Sequence, residues 1–369
     1  MGKRVAFAGA GVYAGVMFDL LRMTDSTLSA VFDNDLSKIG EQKFGLVIQN
    51  TNDVNHHEFD YIVVAAGEWI PIYKQLLSLG CPVEKIVCYS HYLFVRDFLS
   101  KYFSGDSPEL LITGISYAYD LFFPAIRYCN LAYQAQDIFL DSCISRLFIE
   151  KTVGIKALII TCHHYVLEYD MLCSKQKSMM EKYLELPGFT KCAELVSEKH
   201  AREIERIKSN DYWNEERNEY NIAACNALFG DFTPVFNISV DDETSFALYA
   251  NEYSNKNYPH TVACNKKIIE GLVVFCLESG IIPIILTPPQ HRIYREHFSK
   301  RILYTLLSFL HDMCNKYDLS WINDYEMDFD TYCWYDGHHL NKTGNELYCK
   351  PLQEKIQRVI YEGTRGIIK

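Results

Sequence analysis

The chain lacks an excess of basic residues and lacks any long apolar run, and each absence excludes a class of protein. With 36 Lys and Arg against 47 Asp and Glu, the formal net charge is −11. This charge argues against nucleic acid, or an anionic membrane surface, as the main partner. No stretch of the sequence reaches the ~18 consecutive apolar residues that a membrane-spanning helix needs. We therefore expect no nucleic-acid binding and no membrane insertion.

Cysteine is plentiful but is not arranged as a disulfide framework. The thirteen cysteines are scattered, odd in number and without a Cys-x-x-Cys pair, which is typical of reduced, mostly buried thiols. The first residues, Met-Gly-Lys-Arg-Val-Ala-Phe-Ala-Gly, do not have the pattern of a signal peptide. Ala6 also stands where N-myristoylation requires Ser or Thr. We therefore expect a cytoplasmic protein.

The length of 369 residues, with 49% hydrophobic and 22% charged residues, is enough for two globular domains with full cores. The best linker is Ser104-Gly105-Asp106-Ser107-Pro108, so we predict domains at 1–104 and 105–369. Strands that alternate with helices predict a parallel α/β sheet in the first domain. Its predicted strands are Arg4–Ala8, Ser29–Phe32, Tyr61–Ala66 and Lys85–Cys88.

A dinucleotide-binding fingerprint follows the first predicted strand. Gly9-x-Gly11-x-x-Ala14 precedes a helix, and Asp33 ends the second strand. Gly9 would permit the turn, Gly11 would let the backbone approach a phosphate, and the start of the helix would attract the anion. If a dinucleotide binds, Asp33 would contact its ribose. Alternatively, Asp33 only begins the turn Asp33-Asn34-Asp35.

This first segment resembles the small Rossmann-like domain found beside sugar-modifying enzymes. Val31-Phe32-Asp33-Asn34-Asp35 is in the position of the second strand of that domain. The resemblance leaves three alternatives open for the first domain, namely bound NAD(H), a bound nucleotide sugar, or a structural module without a ligand.

The strongest chemical signal begins at Leu110–Thr113, a short apolar run that predicts one buried strand. Gly114 then allows a sharp turn, and Ser116 lies where the next helix would start. A serine hydroxyl at this carboxyl edge of a sheet has the first backbone N–H groups of the helix beside it. This is the local geometry of a nucleophile next to half of an oxyanion hole. The alternative is that Ser116 only caps the helix.

A second signal is the turn from Tyr335 to Gly344. It contains Asp336 and His339 in an Asp-x-x-His spacing just before the last predicted helix. Such a turn can bring the carboxylate onto the imidazole Nδ1–H, which leaves Nε2 free to take a proton from a serine. The order Ser116, Asp336, His339 therefore indicates a Ser-His-Asp triad.

Together these two blocks resemble the SGNH (GDSL-type) hydrolase family, in particular its bacterial branch associated with cell-surface glycan genes. Ile112-Thr113-Gly114-Ile115-Ser116-Tyr117-Ala118 is similar to the nucleophile block, and Asp336-Gly337-His338-His339-Leu340-Asn341 to the final block. The resemblance covers roughly residues 107–369. It implies a flavodoxin-like three-layer sheet, with Ser116 as nucleophile, His339 as general base and Asp336 as the group that orients it.

The family's oxyanion residues match this chain loosely. The resemblance implies a backbone donor near Ala135. Where the family has an asparagine donor, this sequence has His163-His164, so either an imidazole N–H replaces it or the hole is built differently. Adjacent histidines on a strand point apart and no acidic ligand spacing accompanies them. We therefore predict no metal site, and we expect Gln136 and Asp137 to cap the next helix.

The remaining elements complete the predicted second domain. Residues 171–270 should form a largely helical insertion, and a helix should run from Ala118 to Cys129 after Ser116. Three further buried strands are predicted at Ile155–Thr161, Ile281–Leu286 and Leu319–Asn323.

The predicted function is that of a serine-dependent esterase or O-acyltransferase. Its substrate would be a carbohydrate or another small ester, as in polysaccharide biosynthesis, and the triad itself would need no cofactor. One alternative is a non-catalytic glycan-binding or scaffolding protein on a degenerate SGNH fold. The other is a nucleotide-dependent sugar-modifying enzyme that uses the first domain. The sequence leaves open the acyl group, the sugar, the direction of transfer and the formation of a homo-oligomer.

Overall fold

The computed structural model describes residues 2–67, 69–105, 107–208, 215–230 and 243–368. The chain folds into two compact units. The first comprises Met1–Ser100, Ser178–Tyr183 and Arg206–Asn237, and the second comprises Lys101–Lys177, Leu184–Glu205 and Ile238–Lys369. Two pieces of the predicted helical insertion therefore belong to the first unit.

Both units are α/β, as the alternation of strands and helices in the sequence predicted. The strands in the described residues are β1 Arg4–Ala8, β2 Thr27–Asp33, β3 Gln42–Lys43, β4 Leu46–Asn50, β5 Tyr61–Val64, β6 Ile86–Val87, β7 Leu110–Thr113, β8 Tyr128–Asn130, β9 Ala157–Thr161, β10 Ile282–Thr287, β11 Ser320–Asn323 and β12 Gly366–Ile368. The α-helices are α1 Val12–Leu21, α2 Trp69–Ser78, α3 Tyr89–Phe94, α4 Ser100–Phe103, α5 Ser116–Tyr119, α6 Ile138–Lys151, α7 Phe189–Val196, α8 Glu198–Lys208, α9 Glu215–Phe229, α10 Glu243–Ser254, α11 Pro259–Glu278, α12 Arg292–His297, α13 Lys300–Tyr317 and α14 Lys342–Glu362.

The sheet of the first unit has the order β3-β4-β2-β1-β5-β6, and its strands are parallel except for the β3–β4 pair. Its central strand β1 is apolar on both faces. Val5 and Phe7 join one hydrophobic cluster, and Ala6 and Ala8 join the other. A strand with both faces covered reads as a continuous apolar run, which is why β1 was predictable from sequence.

The sheet of the second unit has the order β8-β7-β9-β10-β11-β12 with all strands parallel. Its first five strands follow the flavodoxin-like order, in which the second strand of the chain lies outside the first. The order of strands therefore reverses beside β7, and ligands of open α/β sheets bind in the crevice at such a reversal. This places the carboxyl end of β7 at the position where a site is expected.

The helix predicted at Ala118–Cys129 is wrong. Helix α5 ends at Tyr119 and residues 128–130 form the edge strand β8, paired with β7. Pro124 explains the error, since proline lacks a backbone N–H and disfavours helical conformation in the residue before it. The strand after α5 brings the loop 131–137 to the same sheet edge as Ser116.

Two general features complete the fold. No disulfide joins any of the thirteen cysteines, all of which lie in the described part of the chain, and most of them are buried. Among the described residues, no helix combines the length and the apolar character that crossing a bilayer requires.

Candidate active site

Ser116 is placed by a glycine turn at the end of β7. Gly114 has a φ of 149°, and a Cβ on it would lie 2.7 Å from the Cβ of Thr161 at the end of the neighbouring strand β9. Only glycine fits this backbone and this close approach. Ile115 is the N-cap and Ser116 the first residue of α5, so Ser116 is not the N-cap that one sequence alternative proposed.

The Ser116 side chain meets the histidine of the Asp-x-x-His turn. Ser116 Oγ lies 2.8 Å from His339 Nε2 across a sequence separation of 223 residues. His339 Nδ1 lies 2.8 Å from Asp336 Oδ2. The other oxygen of Asp336 accepts the backbone N–H groups of His338 and His339 at 2.9 and 2.7 Å. The three predicted triad residues thus form one continuous hydrogen-bonded chain.

The protonation of Asp336 follows from these contacts. Burial alone would raise the pKa of Asp336, but the hydrogen bond from His339 and the backbone N–H of His338 hold that pKa below its ordinary value. An ionised carboxylate at Nδ1 fixes a proton on that nitrogen. Nε2 of His339 then offers its lone pair to the Ser116 hydroxyl.

The turn that carries Asp336 and His339 is braced on several sides. The backbone N–H of Tyr335 donates to the His339 carbonyl at 2.9 Å, and the N–H of His291 donates to the Gly337 carbonyl at 3.1 Å. A Cβ on Gly337 would lie 2.9 Å from the side chains of both Phe246 and Tyr294. The loop after β10 therefore supports the turn directly through His291.

The Tyr117 ring packs flat against the triad imidazole. Its centroid lies 4.7 Å from that of His339, with an interplanar angle of 10°. The same tyrosine ring contacts His163, His164 and His338 at 5.2, 5.7 and 5.5 Å. Sequence reasoning missed Tyr117, although its position directly after Ser116 was a usable signal.

The three histidines around Tyr117 are neutral. Burial lowers the pKa of His163 and of His164 well below the ordinary histidine value. Burial and the charge of His339 lower the pKa of His338 to about 3, against the opposing effect of Asp336. These rings therefore add packing but no positive charge beside His339 at neutral pH.

The loop after β8 is tied to the turn at Gly114. The backbone N–H of Tyr133 and the side-chain amide of Gln136 donate to the Gly114 carbonyl at 3.2 and 3.3 Å. Between them Ala135 has a φ of 59°, which is uncommon for a residue other than glycine. The Tyr169 hydroxyl donates to the Ala135 carbonyl at 2.9 Å. The role of Ala135 as a backbone oxyanion donor stays a prediction, on a loop that is fixed to Gly114.

The two histidines after β9 are buried and differ in their contacts. His164 Nε2 lies 2.8 Å from the Tyr294 hydroxyl, so this nitrogen is already engaged. The His163 ring packs edge-on against Tyr165 at 4.3 Å. The assignment of His163 and His164 as oxyanion donors stays a prediction.

A buried carboxylate beside Thr113 and Gly114 was also missed by sequence reasoning. Asp141 Oδ1 accepts the Thr113 hydroxyl at 2.8 Å and the Gln136 amide at 2.6 Å. Burial raises the pKa of Asp141 to about 7, although these hydrogen bonds and the Gly114 N–H oppose the rise. Asp137 caps helix α6 through the Leu140 N–H, as predicted, but Gln136 instead joins this network.

A cavity of about 910 Å³ opens in the second unit beside α5. Its wall includes Tyr119 and Asp120, at the end of the helix that Ser116 begins, and continues over Phe122, Phe148 and Val153. Burial raises the pKa of Asp120, and the charge of His339 opposes that rise. The apolar part of the wall is suited to hold an uncharged group of a substrate.

The glycine turn of the first unit lines a smaller cavity of about 380 Å³, to which Gly9, Gly11, Asp33 and Lys38 contribute. Asp33 Oδ2 accepts the backbone N–H of Ala10 at 2.7 Å, and Oδ1 accepts that of Asp35 at 2.8 Å. Lys38 Nζ lies 3.4 Å from the same carboxylate.

Both sequence interpretations of Asp33 are compatible with these contacts. The bond from the Asp35 N–H is the turn that one of them proposed, and the carboxylate also lines the cavity. Ala14 is buried on α1 rather than in the cavity wall. NAD(H) or a nucleotide sugar in this cavity stays a prediction.

Comparison with known proteins adds no family assignment. No family model matches this chain, and no curated protein matches it either.

Proposed function

We propose that the protein is a serine-dependent esterase or O-acyltransferase that acts on a carbohydrate or another small ester, in the manner of the SGNH hydrolases that its two blocks resemble. The observation that supports this function is the chain of hydrogen bonds from Ser116 through His339 to Asp336, with both links at 2.8 Å. Distances of this size are those of an activated nucleophile and its oriented base.

In the first half-reaction, Ser116 Oγ attacks the carbonyl carbon of the ester while His339 Nε2 takes the hydroxyl proton. Asp336 stabilises the resulting imidazolium through Nδ1–H. Negative charge on the carbonyl oxygen is received by backbone N–H groups, for which the start of α5 and Ala135 are the candidates. His339 then gives the proton to the leaving alcohol, and the acyl group stays on Ser116.

In the second half-reaction, His339 takes a proton from water or from a sugar hydroxyl, which attacks the acyl-enzyme. Ser116 regains its proton and the acid or the new ester leaves. Hydrolysis and transfer differ only in which acceptor reaches the acyl group. The cavity beside Tyr119 and Asp120 is the proposed place for the acyl group or the acceptor. A cytoplasmic enzyme of this kind would suit activated or short glycan precursors.

A fluorophosphonate probe tests this function, because it labels a serine only when a neighbouring base activates it. We expect the purified protein to be labelled at Ser116 and to cleave p-nitrophenyl acetate, and we expect Ser116→Ala to lose both activities. Ser197→Ala is a matched control, since Ser197 Oγ also contacts a histidine, His200 Nδ1, at 2.7 Å. That variant should keep the label.

Two results would overturn the proposal. Labelling that persists in Ser116→Ala would assign the nucleophile to another residue. A folded wild-type protein that resists the probe and cleaves no ester would leave the non-catalytic glycan-binding alternative as the better explanation.

A second candidate function is nucleotide binding by the first unit, favoured by the cavity at Gly9, Gly11 and Asp33. Titration calorimetry with NAD(H), CoA and UDP-sugars tests it. Binding that Asp33→Ala weakens would support a ribose contact by Asp33. An absence of heat with all of these ligands would favour the structural module without a ligand.

A further inference from the structure

A second cluster of carboxylates and histidine lies in the second unit, made of residues that the triad does not use. Asp137 caps α6, Asp170 is the N-cap of the short 3-10 turn Met171–Cys173, and His200 lies on α8. Their side chains are buried, with exposed fractions of 2%, 6% and 1%. One candidate ligand atom from each residue lies within 4.8 Å of the other two. Three separate segments thus bring two oxygens and a nitrogen together in the protein interior.

His200 contributes a buried nitrogen that has no hydrogen-bond partner. This atom, Nε2, lies 3.6 Å from Asp170 Oδ1, which is longer than a hydrogen bond. The other ring nitrogen, Nδ1, lies 2.7 Å from Ser197 Oγ. When Nδ1–H donates to Ser197, Nε2 presents its lone pair to the two carboxylates. A histidine held in this way by an outer hydrogen bond is the usual arrangement of a metal ligand.

The negative charge of the cluster is only partly balanced by neighbouring positive charges. Asp170 Oδ2 is paired with Lys199 Nζ at 2.7 Å. Asp137 instead accepts the backbone N–H groups of Leu140 and Met171 at 3.0 and 2.7 Å. One of the two buried negative charges is therefore without a direct ion pair among the described contacts. A buried charge of this kind is costly unless a cation or a proton compensates it.

We propose that Asp137, Asp170 and His200 bind a divalent transition-metal ion, with zinc as the reference ion. Carboxylate oxygen and imidazole nitrogen are both zinc ligands, and a water molecule or a further side chain would complete the four positions around the ion. Ligand atoms of a tetrahedral site with bonds of ~2.0–2.1 Å lie about 3.4 Å apart. The 3.6 Å from His200 Nε2 to Asp170 Oδ1 is close to that value, and the three candidate ligand atoms all lie within 4.8 Å of one another.

The metal would act as a brace for the loop after β8. Asp137 directly follows Ala135 and Gln136, which are tied to Tyr169 and to the Gly114 carbonyl. Joining Asp137 to Asp170 and His200 through an ion would fix the end of this loop to two other segments of the second unit. The expected consequence is stabilisation of the folded protein, because the ion binds the folded chain and not the unfolded one. This inference does not depend on the esterase proposal.

The test removes metal from the full chain with a chelator, adds zinc back, dialyses away the excess and measures the zinc that stays bound. We expect one zinc ion per chain from this cluster by elemental analysis, and a rise in the thermal unfolding midpoint when zinc is added back. His200→Gln and Asp137→Asn should each lower zinc affinity by about 100-fold or more. They should also remove the rise in the midpoint.

A matched control separates this site from the triad. Asp336, His338 and His339 also place candidate ligand atoms within 4.8 Å of one another, so His339→Gln should keep the bound zinc that His200→Gln loses. The opposite pattern would overturn the proposal. So would a wild-type protein that binds no zinc, since a proton would then compensate the cluster.

Circular dichroism shows whether the two cluster variants are folded. If they are not, cobalt added to the His339→Gln protein provides the second measurement. A visible absorption band of tetrahedral cobalt supports the site, and its absence overturns it.

Discussion

The two units share one local structure, a glycine turn between the first strand and the following helix, but different side chains surround it. In each, a buried first strand ends in a glycine with positive φ and a helix follows, with Gly9 at 112° after β1 and Gly114 at 149° after β7. In each, a side chain on that glycine would collide with the neighbouring strand's end, at 2.8 Å from the Ala65 carbonyl oxygen and at 2.7 Å from the Thr161 Cβ. The backbone turn alone therefore does not determine the chemistry.

What differs is the group that reaches the turn from elsewhere. In the first unit, the acid of the adjacent strand, Asp33, turns onto the backbone N–H of Ala10. This contact holds the backbone of the turn and places no hydroxyl beside a base. In the second unit, Ser116 begins the helix and an imidazole arrives from 223 residues away. The turn therefore places a residue at the edge of the sheet, and the side chains that contact this residue from distant segments determine its chemistry.

The largest expected effect is on ester cleavage, and it tests whether the residues that reach Ser116 from the end of the chain determine the chemistry. Asp336→Asn should lower kcat/KM for p-nitrophenyl acetate by about 10³–10⁴-fold, because the amide no longer fixes the proton of His339 on Nδ1. Asp33→Asn in the first unit is the matched control and should leave ester cleavage unchanged. Ester cleavage that is insensitive to Asp336→Asn would break the comparison.

The matched glycines give the next largest effect. Gly114→Ala should destabilise the protein by about 2–4 kcal/mol in urea unfolding, from backbone strain and from the collision with Thr161. It should also abolish probe labelling, since Ser116 would move. Gly9→Ala should cost similar stability, because it collides with the Ala65 carbonyl, yet the folded fraction should still be labelled. Equal loss of labelling in both folded variants would contradict the assignment of the chemistry to the second unit.

The next prediction concerns Asp141, the buried carboxylate beside the turn at Gly114, and the pH dependence of stability that it causes. The folded pKa of Asp141, about 7, lies above its unfolded value of about 3.9. The folded state therefore binds more protons between these values, and this contribution to stability is lost as pH rises from about 4 to 7. Each pKa unit is worth ~1.4 kcal/mol, so the loss is at most about 4 kcal/mol.

Asp141→Asn isolates this contribution, because the other titrating groups are the same in both proteins. Urea unfolding at pH 5 and pH 8 should show a larger loss of stability in the wild type than in the variant. Parallel curves for the two proteins would show that Asp141 is ionised in the folded protein at both pH values.

The smallest expected effect concerns the ring stacked on His339. Tyr117→Leu should lower kcat/KM by about 3- to 30-fold, since an aromatic face stabilises a neighbouring cation by ~0.5–2 kcal/mol. Tyr117→Phe keeps the ring and should behave like the wild type. A phenylalanine variant as impaired as the leucine variant would assign the effect to the hydroxyl instead.

Much of the architecture could be predicted because its signals are local. The buried strands β1, β7 and β9 are apolar runs, and the turn after β7 and the Asp-x-x-His turn each lie within a few residues. Their meeting in space was inferred from the order of the chain and from the family resemblance. The hydrogen bonds from Ser116 to His339 and on to Asp336 agree with that inference.

The remaining features depend on contacts between distant segments. The strand β8 has only three residues and is stabilised by its pairing with β7. A strand this short has no clear signal of its own in the sequence, and the apolar residues before it therefore favoured a helix. Asp141 reads as one polar residue in an apolar stretch, and only the fold places it under Thr113. The cluster of Asp137, Asp170 and His200 likewise has no fixed spacing. A search for adjacent histidines could not have found it.

The long sequence separation between Ser116 and His339 also has a consequence for the synthesis of the protein. The ribosome must add 223 residues after Ser116 before His339 exists. The hydrogen bond between these two side chains can therefore form only late in synthesis, once the turn that carries His339 has folded. Under the proposed function, the nascent chain would carry a serine without its base until then, and probe labelling of Ser116 would report the completed assembly of the second unit.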